Sequence, residues 1–227
     1  MTNRYTIIIP VNNEKNSIPL LLSSLKNYAT NNHEILIIDD GSNDGTTELL
    51  QKCNFINLIC FKKNEGKGIA IREGFANAKY KKIIIFDGDL ELDSSDISKL
   101  MILDRNKNIY CAMGYRFKKL NPIKSNFDWG NFMFTSFFNI IFKSHHKDIL
   151  CCAKSFYLDK KFINKLSSKG FDIDAELSSL LTINNKFKNI PQVLLKYKRR
   201  TIIEGKKLNI SDGWIILSRI IRMIKYI

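Results

Sequence analysis

The sequence predicts an α/β protein built on a mostly parallel sheet flanked by helices. Three observations lead there. Short runs rich in Ile and Val alternate with helix-length amphipathic segments through the first half, the pattern of parallel strands joined by crossover helices. Each run ends in a polar cluster of Asp, Asn, Glu or Gly, and sheets of this kind bind ligands beyond the carboxyl ends of their strands. At 227 residues and 44% apolar content the chain can bury one substantial core, so a single domain over 1–227 is expected.

In chain order, residues 5–11, 34–39, 57–61 and 82–86 read as buried strands, and 17–29, 44–53 and 67–79 as the helices between them. Asp93, Ser94, Ser95 and Asp96 supply capping groups for a further helix. A fifth strand is expected over 109–116, after which the pattern becomes irregular. Residues 127–142 hold Trp129 and six phenylalanines, followed by Lys143, His145, His146 and Lys147. That segment reads either as a core helix or as an interfacial one with its aromatic side in acyl chains and its lysines near headgroups. A helix over 174–184, a strand over 190–198 and a terminal helix over 211–226 complete the expectation.

Lys and Arg outnumber Asp and Glu by 36 to 22, a formal charge of +14, which favours phosphate-rich partners. The excess gathers between Lys186 and Lys207. No helix-turn-helix, zinc-finger or aromatic sheet signature accompanies it, so a basic nucleic-acid-binding module is only a remote alternative and no nucleic-acid partner is expected. The five cysteines are odd in number and lack C-x-x-C spacing, which fits reduced thiols in a cytosolic protein. Residues 1–10 enter a strand directly, arguing against export, and no apolar run reaches the roughly 20 residues of a membrane span. A soluble or peripheral protein is expected.

Asp87-Gly88-Asp89 places two carboxylates one residue apart at a strand end, with Glu91 close behind. Such a cluster can hold Mg²⁺ or Mn²⁺ against a diphosphate, or it can be a solvated acidic turn. Asp39 and Asp40 end the second strand before a glycine turn and a helix start, where carboxylates can accept hydrogen bonds from a base or ribose. Ser42 and Asp44 there read as capping residues. Asn64-Glu65-Gly66-Lys67-Gly68 resembles a phosphate loop only loosely, and Arg72 lies about one helical turn beyond it. Lys67 and Arg72 can meet an anion or belong to an exposed basic face.

Taken in order, Ile-Ile-Pro-Val-Asn-Asn-Glu, Ile-Ile-Asp-Asp-Gly-Ser-Asn-Asp-Gly-Thr, Asn-Glu-Gly-Lys-Gly-Ile-Ala-Ile-Arg-Glu-Gly and Asp-Gly-Asp-Leu-Glu resemble family 2 of the inverting GT-A glycosyltransferases. Within it the chain is most similar to the dolichyl-phosphate mannose synthase group and its bacterial polyprenyl-phosphate relatives. The likeness continues through Gly114-Tyr115-Arg116-Phe117, Gly170-Phe171-Asp172-Ile173-Asp174-Ala175-Glu176-Leu177, Ile190-Pro191-Gln192-Val193 and Arg200 through Lys207 to Asp212-Gly213. The resemblance implies a GT-A fold with a nucleotide-sugar-binding half, about 1–116, and a mixed acceptor half, about 117–227. It implies a GDP- or UDP-sugar donor whose nucleoside is lined by Pro10, Asn12, Glu14, Asp39 and Asp40. Lys67 and Arg72 would lie near the diphosphate or base, and Asp87, Asp89 and Glu91 at the metal. Asn12 stands where the family usually has Tyr.

The implied acceptor is a polyprenyl phosphate at the inner face of the cytoplasmic membrane, with peripheral contact to anionic lipid. Arg116 and Arg199 or Arg200, with Lys206, would position its phosphate, which is already anionic and needs little base catalysis. An Arg common in the family is missing from Trp129-Gly130-Asn131-Phe132-Met133, and Asp148 matches an acidic position without an evident role. The alternative acceptor is a hydroxyl of a saccharide or other glycan precursor. That chemistry needs a carboxylate base, for which Glu176 is the first candidate, with Asp174 read as a helix N-cap. Two residues apart on a helix, the pair cannot share a face.

Overall fold

A computed structural model describes residues 3–118, 125–186, 188–200 and 212–227. The first half alternates as expected: β1 (Thr6–Val11), α1 (Ile18–Thr30), β2 (Glu34–Asp39), α2 (Thr46–Gln51), β3 (Asn57–Cys60), α3 (Lys67–Asn77) and β4 (Lys82–Ile85). A 3₁₀ helix over Ser94–Leu100 follows, capped by the Asp93 side chain, which accepts from the Ser95 N–H. Then come β5 (Cys111–Tyr115), α4 (Asn126–Phe142), β6 (Lys154–Tyr157), α5 (Lys160–Ile163), α6 (Ile173–Asn184), β7 (Gln192–Leu194) and α7 (Asp212–Met223).

The strands form one sheet of order β3-β2-β1-β4-β6-β5-β7. All neighbours are parallel except β6, which runs antiparallel to both β4 and β5. The order turns back on itself beside β1, so the carboxyl ends of β1 and β4 open a crevice, the usual ligand position in such sheets.

Burial on both faces explains the unbroken apolar runs. Ile7, Ile9, Ile35, Ile37 and Ile84 face α1 and the 3₁₀ helix, meeting Leu21, Leu25 and Ile97. Ile8, Leu36, Ile38, Ile83 and Ile85 face the other layer, with Ala70 and Phe75 of α3, Phe138 of α4, Leu177 and Leu180 of α6 and Ile220 of α7. Pro19 sits in the first turn of α1, where its missing N–H leaves no bond unmade.

Three expectations change. The strand expected over 190–198 is only three residues long, and Tyr197 instead makes a single antiparallel bridge to Leu92. Strand β6 has no counterpart among the expected strands, because Lys154 and Ser155 are polar yet buried and give no strand-like alternation. Asp174 is no N-cap: Asp172 holds that position and α6 begins at Ile173. The aromatic segment is a helix with two characters. Phe134, Phe138 and Phe142 enter the core, whereas Trp129, Phe132 and Ile140 are exposed.

Helix α3 lies against β1 and β2 at Gly74, where a Cβ would stand 2.6 Å from Ile8 Cγ2 and 3.1 Å from Ile38 Cδ1. Both isoleucines are fixed in the core, so neither can yield easily. Gly74→Ala is therefore expected to destabilise the protein by about 1–3 kcal/mol despite alanine's better helix propensity. Urea unfolding checks this, and an unchanged midpoint would contradict the close approach.

Candidate active site

The crevice is built by loops that the sheet delivers to one edge. After β1, Asn12 donates through Nδ2 to the Asp40 carbonyl at 2.7 Å, binding the first loop to the second. After β2 the two aspartates part company. Asp39 is fully buried and its carboxylate accepts from Ser42 N at 3.0 Å, Ser42 Oγ and Thr47 Oγ1. It shapes the turn and does not line the cleft. Asp40 does line it, and accepts from the N–H groups of Glu65 and Gly66 at 2.7 and 2.9 Å. Asp44 accepts from Thr46 N and Lys15 N, a local turn role.

The glycines of the third loop serve packing rather than a phosphate. Gly66 has φ +103°, and a Cβ there would meet the Lys169 carbonyl oxygen at 2.3 Å; one on Gly68 would meet the Ser168 carbonyl oxygen at 2.4 Å. The two glycines let the 168–169 backbone press against the start of α3, where Gly68 N–H donates to the Lys169 carbonyl. That packing aims Lys67 inward. Its Nζ lies 2.8 Å from Asp87 Oδ2 and 3.0 Å from Asp174 Oδ2. Burial alone would pull the lysine's pKa down, but Asp174 and Asp87 outweigh it and hold Lys67 well above its usual value.

Glu176, the first candidate for a base, lies elsewhere. It is fully buried, accepts from Ser167 N and Ser168 N at 3.1 and 2.9 Å, and pairs with Arg219 Nη1 at 2.8 Å. Its carboxylate fixes the loop that presses on Gly66 and Gly68, a positioning role. Asp174, one face round α6, enters the cleft with Oδ1 buried and unpaired. Arg72 also turns away, donating to the Leu166 carbonyl at 3.4 Å and leaving the cleft lining without it.

Asp87, Gly88, Asp89 and Glu91 all line the cleft. Gly88 is forced by packing, since a Cβ would meet Val11 Cγ1 at 2.5 Å. The chain then turns through Leu90 at φ 62°, a conformation costing about 1–3 kcal/mol in a branched residue. Asp89 accepts from the Glu91 N–H at 3.0 Å. Burial first, then repulsion from Asp87, Glu91 and Glu14, pushes its carboxyl up to about 7.

The opposite residues of the cleft are arginines, each held by an acid. Arg116 makes a bidentate pair with Asp148 at 2.8 and 2.9 Å, and Asn131 Nδ2 supports the same carboxylate at 3.1 Å. Burial would raise Asp148, but Arg116 outweighs it and holds that carboxyl low. Arg199 grips Asp128 at 2.5 Å. Arg200 Nη1 lies 2.8 Å from Glu14, and its N–H donates to Glu91 at 2.9 Å. Phe117, Phe127, Leu150, Phe171, Tyr197 and Ile216 supply apolar lining. Of the residues expected from sequence, the cleft gathers Pro10, Asn12, Glu14, Asp40, Lys67, Asp87, Asp89, Glu91, Arg116 and Arg200. Arg199, offered from the sequence as the alternative to Arg200, and Asp174, the second carboxylate beside Glu176, also line it, and Tyr197 and Phe171 join them. Lys206 lies outside the described residues.

The donor set suits a hard divalent cation that shares its coordination with a phosphate ligand. Asp87 Oδ1 is buried without a hydrogen-bond partner, and Asp89 lacks compensating charge. Among the described residues no three acidic, His or Cys side chains converge to hold an ion by themselves, so diphosphate oxygens or water would complete the shell, as is usual for Mg²⁺.

The raised Asp89 carboxyl carries a stability cost with a definite sign. Its pKa climbs from an ordinary 3.8 to about 7 on folding, so between those values the folded state binds more protons than the unfolded state. Stability is lost as pH rises through that window and stays lost above it. Asp89→Asn is therefore expected to raise Tm at pH 8 in chelator, with the gain shrinking towards pH 4. Differential scanning fluorimetry across pH tests this; a variant less stable than the parent at pH 8 would contradict it.

Comparison with known proteins gives this geometry a context. The family model described as Glycosyl transferase family 2 matches residues 6–166. An undecaprenyl-phosphate 4-deoxy-4-formamido-L-arabinose transferase from Aeromonas hydrophila is 35% identical over 104 residues, 42% of this chain and 32% of the relative. A dolichyl-phosphate beta-glucosyltransferase from Mus musculus is 28% identical over 113 residues, 44% of this chain and 35% of the relative. The matched segment thus spans about a third of those relatives. Among solved structures, glucosyl-3-phosphoglycerate synthase from Mycobacterium tuberculosis with phosphoglyceric acid superposes with a TM-score of 0.75 at 12% identity, covering 98% of this chain and 80% of that one. The same enzyme solved with Mn²⁺, uridine diphosphate and phosphoglyceric acid gives 0.73 at 12% identity, covering 97% and 78%. With the family model covering well over half of its length, the chain belongs to glycosyltransferase family 2, and its fold is of the GT-A type.

Proposed function

We propose that the protein transfers a sugar from a nucleotide-sugar donor to a polyprenyl phosphate, using a divalent cation at the donor diphosphate. The observation that carries this reading is the cleft's composition: carboxylates from the ends of β1, β2 and β4 meet Arg116, Arg199 and Arg200 beside an aromatic and aliphatic lining. The names of the two curated relatives, both polyprenyl-phosphate transferases, support it.

On this reading Asn12, Glu14 and Asp40 hold the nucleoside of a GDP- or UDP-sugar. Asp87 and Asp89, with Glu91 nearby, would hold Mg²⁺ or Mn²⁺, which neutralises charge on the departing diphosphate. Lys67 adds a fixed positive charge on the same side. Arg116, Arg199 and Arg200 position the acceptor phosphate, and Phe117, Tyr197 and Ile216 face the first isoprene carbons. A phosphate oxygen, already anionic, bonds to the anomeric carbon from the face opposite the breaking bond to the diphosphate, so configuration inverts. No proton has to be removed. The enzyme then works peripherally at the inner face of the cytoplasmic membrane; among the described residues no helix is long and apolar enough to cross a bilayer.

One observation favours a second reading, transfer to a hydroxyl. Asp174 lies in the cleft with an unpaired carboxylate oxygen, the place for a base that Glu176 does not occupy. Kinetics separate the two. Arg116→Ala would strip the fully buried Asp148 of its partner and cost about 3–5 kcal/mol of stability, so Arg116→Lys is the better probe. With a polyprenyl phosphate, Arg116→Lys is expected to raise acceptor KM about ten-fold or more, since lysine cannot reproduce a bidentate contact. Asp174→Asn should then change kcat much less. A loss of about 10²–10⁴ in kcat for Asp174→Asn, with Arg116→Lys near normal, would establish the hydroxyl acceptor instead. Excess chelator is expected to stop transfer in either case.

A further inference from the structure

Nine large hydrophobic side chains are exposed among the described residues, and eight of them lie on α4 or on residues 214–227. On α4, Trp129, Phe132 and Ile140 follow one another at spacings of three and eight, which places them on one stripe of the helix. On α7, Trp214 and Ile221 are seven apart, and Ile224 follows in a short 3₁₀ turn directly after the helix. Buried side chains account for the opposite faces, Phe134, Phe138 and Phe142 on α4 and Ile216, Ile220 and Met223 on α7. The helices are neighbours, with Gly213 against the Phe134 ring. Both of the chain's tryptophans belong to these stripes.

We infer that the exposed stripes of α4 and α7 form a docking face for an anionic phospholipid surface. Charge selects this occupant. Lys143 and Lys147 follow α4, and Arg222 and Lys225 follow the stripe on α7; all four are exposed. Aromatic residues beside lysine and arginine are the composition of helices that lie in a bilayer interface. A second copy of the chain would bring another +14 charge against the first, and like charges oppose that contact. The position agrees too. The same two helices put Phe127, Asn131 and Ile216 into the cleft, so a lipid-borne phosphate would enter beside the face that rests on the lipid. The inference deepens the proposed function by naming how its acceptor is approached, and it is tested without that acceptor.

Intrinsic fluorescence reads the docking directly, because Trp129 and Trp214 are the only tryptophans. The full chain is mixed with vesicles of phosphatidylglycerol and phosphatidylcholine, or of phosphatidylcholine alone, with no polyprenyl phosphate in either. Expected are a blue shift and co-sedimentation with the anionic vesicles, and about ten-fold or greater weakening in Ile140→Glu/Ile221→Glu at unchanged Tm. Equal binding to neutral vesicles, no response to either, or a blue shift tracking dimer formation in sedimentation without vesicles would each overturn the anionic-surface assignment. Vesicle binding without transfer to polyprenyl phosphate would leave the docking face standing and remove the proposed acceptor.

Discussion

The site depends on one buried ammonium. Lys67 holds Asp87, at the end of β4, and Asp174, in the first turn of α6, within 2.8 and 3.0 Å. Two carboxylates brought that close to each other and to Asp89 would repel, and burial would raise the cost. A cation between them makes the arrangement tolerable. It also joins the two halves of the chain at the cleft, since α6 belongs to the second half and β4 to the first. Everything that aims Lys67 therefore shapes the site: the glycines on either side of it, the 168–169 backbone they admit, and the Glu176–Arg219 pair that fixes the loop carrying that backbone.

Around this point each arginine of the cleft is matched to an acid. Arg116 has Asp148, Arg199 has Asp128 and Arg200 has Glu14. Asp89 has no cation of its own, and burial first, then repulsion from Asp87, pushes its carboxyl up to about 7. A group left under-compensated in a cleft is a common mark of a ligand position. The cation of the proposed function would supply the missing positive charge there.

Much of this was legible in the sequence because parallel sheets put function at strand ends. Four polar clusters, after β1, β2, β3 and β4, mark the crevice in the sequence itself, and Asp40, Asp87 and Asp89 lie in it. What was not legible depended on direction. Asp39 and Asp40 are adjacent, yet one folds into its own turn and the other faces the cleft. Asp174 and Glu176 differ by two residues on a helix, which shows that they face apart but not which one faces the ligand. Asp148 pairs with Arg116 across 32 positions of sequence, a contact that no local pattern signals. Lys154 and Ser155 hid β6 because local polarity says nothing of a tertiary environment that buries it.

The central claim is that the carboxylates of the cleft are completed by a divalent cation arriving with a nucleoside diphosphate. Electron paramagnetic resonance of free Mn²⁺, titrated into the protein with and without UDP or GDP, tests it most directly. The result expected is weak Mn²⁺ binding by the protein alone, and much tighter binding once a diphosphate is present. Mn²⁺ affinity that is the same with and without either nucleotide would contradict it.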